Sequence, residues 1–208
     1  MKILSADFVT SAVRADGIPA DGLLQIAVAG RSNVGKSTLL NALVRRKLAR
    51  TSAAPGKTRL ANIYRVTVEG GPGGPGKWGL YLVDLPGYGY ARGGEDSARE
   101  LAQVAQEYFA SDMREAAGSS RAALLLIDAR HPGLALDVQA HAWLSAAAGP
   151  PQIVATKVDK LSRSERERNL KELERVFGTP PLPVSATGGE GLDELWKLIA
   201  RVARTTGK

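Results

Sequence analysis

Gly30-Arg31-Ser32-Asn33-Val34-Gly35-Lys36-Ser37-Thr38 carries the pattern G-x-x-x-x-G-K-[ST]. The apolar run Leu23-Leu24-Gln25-Ile26-Ala27-Val28-Ala29 precedes it, and Leu39-Leu40-Asn41-Ala42-Leu43-Val44 follows. That order predicts strand, tight loop, helix. In such a loop, glycines let several backbone N–H groups converge on one anion at the positive end of a helix. Lys36 adds a positive charge suited to β- and γ-phosphates, and the Ser37 hydroxyl is an oxygen ligand for Mg²⁺. The plain alternative is a glycine turn ahead of a surface helix.

Outward from this loop, strands and helices alternate through the chain. Strands are predicted over residues 23–29, 62–68, 78–83, 122–127, 153–155 and 182–184. Helices are predicted over residues 38–46, 97–113, 137–147 and 164–177, with a last one carrying Leu192, Leu195, Trp196, Ile199 and Val202 at helical spacing. The fold class expected is α/β, a P-loop nucleotide-binding domain with a six-stranded, mostly parallel sheet and helices on both faces. The hairpin of residues 62–83, with Gly70-Gly71-Pro72-Gly73-Gly74-Pro75-Gly76 at its tip, makes one edge strand antiparallel. Residues 1–22 have weak periodicity and read as a loosely attached edge segment. The main domain is expected over 23–204, with a short tail at 205–208. The Trp196 stripe reads as core packing.

Ligands of such sheets bind beyond the carboxyl ends of the strands. The motifs at Gly30, Asp84, Asp128, Thr156 and Ser185 all follow directly after expected strands, where chance motifs would scatter. Asp84-Leu85-Pro86-Gly87 supplies a carboxylate for Mg²⁺ and an amide, that of Gly87, for the γ-phosphate. Gly56-Lys57-Thr58-Arg59-Leu60 places Thr58 as a second hydroxyl on the metal. Its ordering would depend on the γ-phosphate, which makes residues 48–60 a switch. Thr156-Lys157-Val158-Asp159 supplies base choice. A carboxylate at Asp159 accepts from both the ring N–H and the exocyclic amine of guanine, a donor pair that adenine lacks. The Lys157 stem can lie along the base, and Val184-Ser185-Ala186 can aim an amide at the guanine oxygen.

With 28 Lys and Arg against 21 Asp and Glu, the chain carries a net charge of +7. Arg45, Arg46, Lys47, Arg50, Lys57, Arg59 and Arg65 fall in one window free of Asp and Glu, and equal that whole excess. A cluster of this kind is an electrostatic footprint for a polyanion, or else a solvated face. The absence of cysteine excludes disulfides, thiolate metal sites and thiol catalysis. The apolar run at residues 122–127 is too short to span a bilayer, and the N-terminus has no extended apolar segment. A cytoplasmic protein is expected. His131 and His141 read as structural.

Gly-Arg-Ser-Asn-Val-Gly-Lys-Ser, Pro-Gly-Lys-Thr, Asp-Leu-Pro-Gly-Tyr-Gly-Tyr-Ala, Asp-Ala-Arg-His-Pro, Thr-Lys-Val-Asp-Lys and Ser-Ala together resemble the EngB (YihA/YsxC) family. These are bacterial GTPases of the translation-factor-related class with a Ras-like G domain. The likeness covers about residues 5–203. It departs at Ala54 and Leu60, where the family has Thr before the Pro and Gln after the Thr, and at the longer, glycine-rich hairpin tip. The resemblance implies Mg²⁺-dependent GTP and GDP binding, a role in assembling the large ribosomal subunit, and a link to cell division and septation. It makes Lys36, Thr58 and Gly87 the catalytic set, and Ser37, Thr58 and Asp84 the metal ligands. It also makes Asn33 the candidate contact for K⁺, against a plain loop-shaping role.

Hydrolysis would be attack of water on the γ-phosphate, driven by positioning and charge stabilisation. Tyr88 follows Gly87 where many GTPases carry a water-orienting Gln, so slow turnover without a partner is expected. The leading expectation is a monomeric GTP-gated factor that contacts ribosomal RNA of the large subunit through its basic switch, away from membranes. A G module that binds a division or membrane protein without RNA is the alternative, and a P-loop ATPase is a third.

Overall fold

The computed structural model describes residues 1–12, 21–49, 61–71, 76–89, 108–109 and 121–205. Seven strands form one sheet: β1 (Lys2–Ala12), β2 (Leu24–Gly30), β3 (Ala61–Glu69), β4 (Lys77–Asp84), β5 (Arg121–Asp128), β6 (Gln152–Thr156) and β7 (Leu182–Val184). Helices α1 (Lys36–Val44), α2 (Ala135–Ala148), α3 (Arg163–Phe177) and α4 (Leu192–Thr205) connect or follow them. The strand order is β1-β3-β4-β2-β5-β6-β7. From β4 to β7 all neighbours are parallel, whereas β3 runs against both β4 and β1. The doubly covered, mostly parallel sheet is therefore the one expected, with two refinements. Among the described residues there are seven strands instead of six, and the antiparallel strand is second from the edge.

The extra strand is β1. Its weak periodicity predicts a loosely attached segment, yet it pairs with β3 from Lys2↔Glu69 to Ala12↔Ala61. Register shifts between Ile3 and Ser5 and between Phe8 and Thr10 break its alternation, which is why no period of two is visible there. The hairpin β3–β4 closes with the Gly70 N–H donating to the Gly76 carbonyl at 3.1 Å. The helix expected over 97–113 lies outside the described residues except for Tyr108 and Phe109, both buried.

β2 is buried along its whole length because it lies at the sheet centre with helices on both faces. On one face Ala27, Val83, Leu125 and Ile127 pack with Leu144 of α2 and with Leu173 and Phe177 of α3. On the other, Ile26, Leu82 and Leu126 pack with Leu40 and Leu43 of α1 and with Leu195, Trp196 and Ile199 of α4. The Trp196 stripe is core, and its indole N–H donates to the Leu43 carbonyl at 3.1 Å, tying α4 to α1. These two apolar layers hold the carboxyl ends of five parallel strands in a fixed row.

Candidate functional site

Register carries one motif to the next along that row. Val28 lies opposite Asp84, Gly30 opposite Leu126, Asp128 opposite Thr156, and Thr156 opposite Val184. The structure thus brings Gly30, Arg31, Ser32, Asn33, Val34, Gly35, Lys36, Ser37 and Thr38 to the same edge as the other strand-end motifs. Those are Asp84, Leu85, Pro86 and Gly87, then Thr156, Lys157, Val158 and Asp159, and then Val184, Ser185 and Ala186. Gly56, Lys57, Thr58, Arg59 and Leu60 lie outside the described residues.

The phosphate loop is built for an anion. Gly35 is the N-cap of α1 at φ 103°, a left-handed conformation that costs a glycine little. No side chain caps α1, and its first turn holds no acidic residue, so its leading amides and positive dipole end face the loop. The Lys36 ammonium is ion-paired with the Asp84 carboxylate, both largely buried, which sets the phosphate-seeking cation against the metal-seeking anion. Gly87 packs flat on the loop: a Cβ there would meet the Ser32 amide nitrogen at 3.3 Å. The Ser32 N–H donates to the Tyr88 carbonyl at 2.8 Å, and Leu85 N–H donates to the Val28 carbonyl at 3.1 Å.

Tyr88 does not reach toward the loop with its ring. It is 1% exposed, and its hydroxyl donates to Asp137 Oδ1 on α2 at 2.8 Å. Arg31 Nε lies 3.7 Å from the same oxygen. Burial, and then the neighbouring Asp137 charge, push the Tyr88 phenol far above its ordinary value, so it stays a neutral donor. Burial likewise raises the Asp137 carboxyl, against the Tyr88 hydrogen bond and the Arg31 charge. Asp137 had no signal in the sequence: an acid in the first turn of a helix is ordinary dipole complementation. Asn41 was also missed. Its side chain accepts from the Leu48 and Ala49 N–H groups, both at 2.7 Å, and fixes the turn that carries the exposed Arg45, Arg46 and Lys47.

At the other end of the row, Thr156 Oγ1 lies 2.8 Å from the Val34 carbonyl and 3.2 Å from that of Ile127, which joins β6 to the phosphate loop. Lys157 reaches the Asn33 carbonyl at 2.5 Å and Asp128 Oδ2 at 2.9 Å. Asp159 Oδ1 accepts from the Ser185 hydroxyl at 2.7 Å, and Ser185 Oγ accepts from the Gly188 N–H at 2.9 Å. The Ser185 bond, more than any other contact, holds the Asp159 carboxyl below its ordinary range, so it is ionised and accept-only at neutral pH. Of the two histidines, His141 packs at a tilt against Phe177 with ring centroids 5.2 Å apart, and burial lowers its pKa.

The family described as a 50S ribosome-binding GTPase matches residues 25–157. The chain is also 41% identical over 214 residues to the probable GTP-binding protein EngB of Pelotomaculum thermopropionicum, covering 100% of both chains. The chain belongs to the EngB family of GTP-binding proteins. A second EngB relative, from Solibacter usitatus, is 42% identical over 200 residues and 96% of each chain. A solved structure of a probable GTP-binding protein EngB shares the fold with a TM-score of 0.62 at 23% identity, over 87% of this chain and 99% of that one. Era in complex with MgGDPNP and a segment of 16S ribosomal RNA gives a TM-score of 0.62 at 25% identity, over 88% of this chain and 57% of that one.

This EngB-family chain is thus a P-loop GTPase that binds GTP and GDP, as such domains typically do with Mg²⁺. The residues present fit that ion: Ser37 brings a hydroxyl in the first turn of α1, and Asp84 ends β4 with a carboxylate beside Lys36, a hard-oxygen donor set. No helix among the described residues is long and apolar enough to cross a membrane.

One pH effect follows from the Asp128 cluster. Burial works to raise the Asp128 carboxyl, but hydrogen bonds from Arg130 and Lys157 outweigh it and hold it well below the carboxylate range. A carboxyl lowered by folding contributes stability that is present above the unfolded value, about pH 4, and is lost as the pH falls. Asp137, raised by burial, has the opposite sign: its contribution is present at low pH and fades as the pH rises. Asp128→Asn is expected to lower stability at pH 7 and to flatten the loss on going from pH 6 to pH 3. Chemical denaturation at stepped pH reads this, and an acid limb as steep as the parent's would count against it.

Proposed function

We propose that the chain is a GTP-gated assembly factor for the large ribosomal subunit, slow to hydrolyse GTP until a partner completes its site. The observation that carries the slow-switch reading is Tyr88. The residue after Gly87 is turned into the interior and bonded to Asp137, so it offers no group to orient an attacking water. Lys36 would take the β/γ-phosphates, with the α1 amides around them, and the Gly87 N–H would face the γ-phosphate. Ser37, Asp84 and Thr58 would hold Mg²⁺, which would supply charge neutralisation for the phosphates. Asp159 would read guanine's two donors, and the Lys157 stem would lie on the base. The Ser185 N–H is committed to the Glu190 carbonyl at 3.0 Å, so the amide for the guanine oxygen would be that of Ala186. Asn33 sits at φ 64°, a conformation that Asn tolerates, which supports its loop-shaping role over a K⁺ contact.

Three observations support the ribosomal partner. The matched family is described by 50S binding, the Era neighbour was solved with ribosomal RNA, and the whole net charge falls in one window around the switch. Within that window Arg45, Arg46, Lys47 and Arg65 are exposed. A link to cell division would follow from ribosome supply, and a cytoplasmic, monomeric protein fits the role.

Single-turnover GTP hydrolysis tests the reading. The purified chain is expected to turn over slowly and to accelerate at least tenfold with large-subunit particles; fast turnover alone would overturn it. Tyr88→Phe is expected to leave the intrinsic rate within about threefold. The same change should cost about 1–3 kcal/mol of stability, because Asp137 loses its buried donor. A collapse of the rate in a variant that stays folded would give the phenol a catalytic role instead.

A further inference from the structure

Asp128 belongs to none of the nucleotide motifs, yet it is the most heavily bonded carboxylate at the strand-end row. It ends β5 with a side chain 4% exposed. Its Oδ1 accepts from the Arg130 N–H at 3.1 Å and from Arg130 Nε at 2.9 Å. Its Oδ2 accepts from the second guanidinium arm at 2.8 Å and from Lys157 Nζ at 2.9 Å. The same Lys157 ammonium donates to the Asn33 carbonyl of the phosphate loop at 2.5 Å. Lys157 itself stands at φ 59°, a left-handed conformation that is uncommon for a residue with a long side chain and needs its surroundings to hold it. Its stem passes over the loop, with Cε 3.8 Å from the position a Cβ on Gly35 would take.

We infer that Asp128 is a positioning residue for guanine-nucleotide binding, acting through Lys157 by clamping its ammonium between β5 and the phosphate loop. The inference rests on the base-stacking reading of Lys157 given above. A four-carbon chain free to rotate loses much rotamer freedom when a ligand orders it, and a chain already held does not. The clamp removes that cost before the nucleotide arrives. It also joins the base-reading segment to the phosphate-reading loop, so both halves of the ligand meet one rigid frame. Arg130 contributes by balancing the second half of the carboxylate, so the charge on Asp128 remains compensated while Lys157 serves the base.

Neither partner of the clamp faces the γ-phosphate, so its loss affects GTP and GDP alike. Titration of a fluorescent guanine nucleotide into Asp128→Asn, Lys157→Ala and the double variant tests this, with a GTP analogue and GDP in parallel. Lys157→Ala is expected to weaken both nucleotides by about thirtyfold, and Asp128→Asn by about tenfold with the GTP-to-GDP ratio unchanged. The double variant is expected to bind no worse than Lys157→Ala, since Asp128 acts only through that side chain. Should Asp128→Asn fail to fold, Asp128→Glu takes its place. It keeps a charge for Arg130, displaces the carboxylate from Lys157, and is expected to show the same tenfold loss. Losses that multiply in the double variant, a changed GTP-to-GDP ratio, or parental affinity in the Asp128 variants would overturn the clamp alone. Parental affinity in Lys157→Ala would remove the base contact itself, and the inference with it.

Discussion

Asp159→Asn is expected to lower affinity for GTP and GDP by roughly a hundredfold to a thousandfold, and to give xanthine nucleotides the preference instead. The carboxylate accepts only, and on the proposed reading it would satisfy two guanine donors on the base's edge. The Ser185 hydroxyl gives its one proton to Asp159 Oδ1, while its oxygen is already used by the Gly188 N–H. An asparagine therefore has to place its carbonyl toward Ser185, which leaves its NH₂ group turned toward the base. That NH₂ opposes a guanine donor, and a buried donor facing a donor is costly. Xanthine carries a carbonyl where guanine has the exocyclic amine, so the same NH₂ then finds an acceptor. Competition titration with GTP, XTP and ATP reads the outcome. Undiminished guanine affinity would mean that Asp159 does not face the base.

Lys36→Ala should cost affinity and stability together, by separable routes. On the proposed reading the Lys36 ammonium would meet the β- and γ-phosphates, and charge-assisted contacts to phosphate are about twice as strong as neutral ones. Its loss is expected to weaken GTP binding by roughly a hundredfold or more. It also strips the largely buried Asp84 carboxylate of its partner. Removing one member of a buried pair typically costs about 3–5 kcal/mol. Adding Asp84→Asn to Lys36→Ala should then recover much of the thermal stability while leaving nucleotide binding lost. Thermal denaturation and nucleotide titration on the three variants separate the two effects. A single variant as stable as the parent would show that the pair is not what holds the loop to β4.

The strand-end motifs were legible because each is a local device. Gly35, Lys36 and Ser37 announce a phosphate loop within nine residues, and the apolar run before them reads directly as a doubly covered strand. What the sequence hid is non-local. Tyr88 and Asp137 lie 49 residues apart, and Lys157 and Asp128 lie 29 apart. Tyr88 reads in place as a missing water-orienting Gln and Lys157 as a base contact, and neither reading names the acid, at a helix start or a strand end, that bonds to it. β1 was obscured differently: two register shifts break its alternation, so a well-paired edge strand looks patternless. Asn41, inside an apolar helix, gave no hint that it fixes the turn bearing Arg45, Arg46 and Lys47, the first residues of the basic window.

That basic turn follows α1 directly, and GTP occupancy is proposed to gate a ribosomal contact made through it. Co-sedimentation with large-subunit precursor particles tests this most directly, with GTP analogue and GDP compared at two salt concentrations. At least tenfold tighter binding with the analogue is expected, with a steep fall in binding as salt rises. Equal binding in both nucleotide states, or binding insensitive to salt, would contradict it.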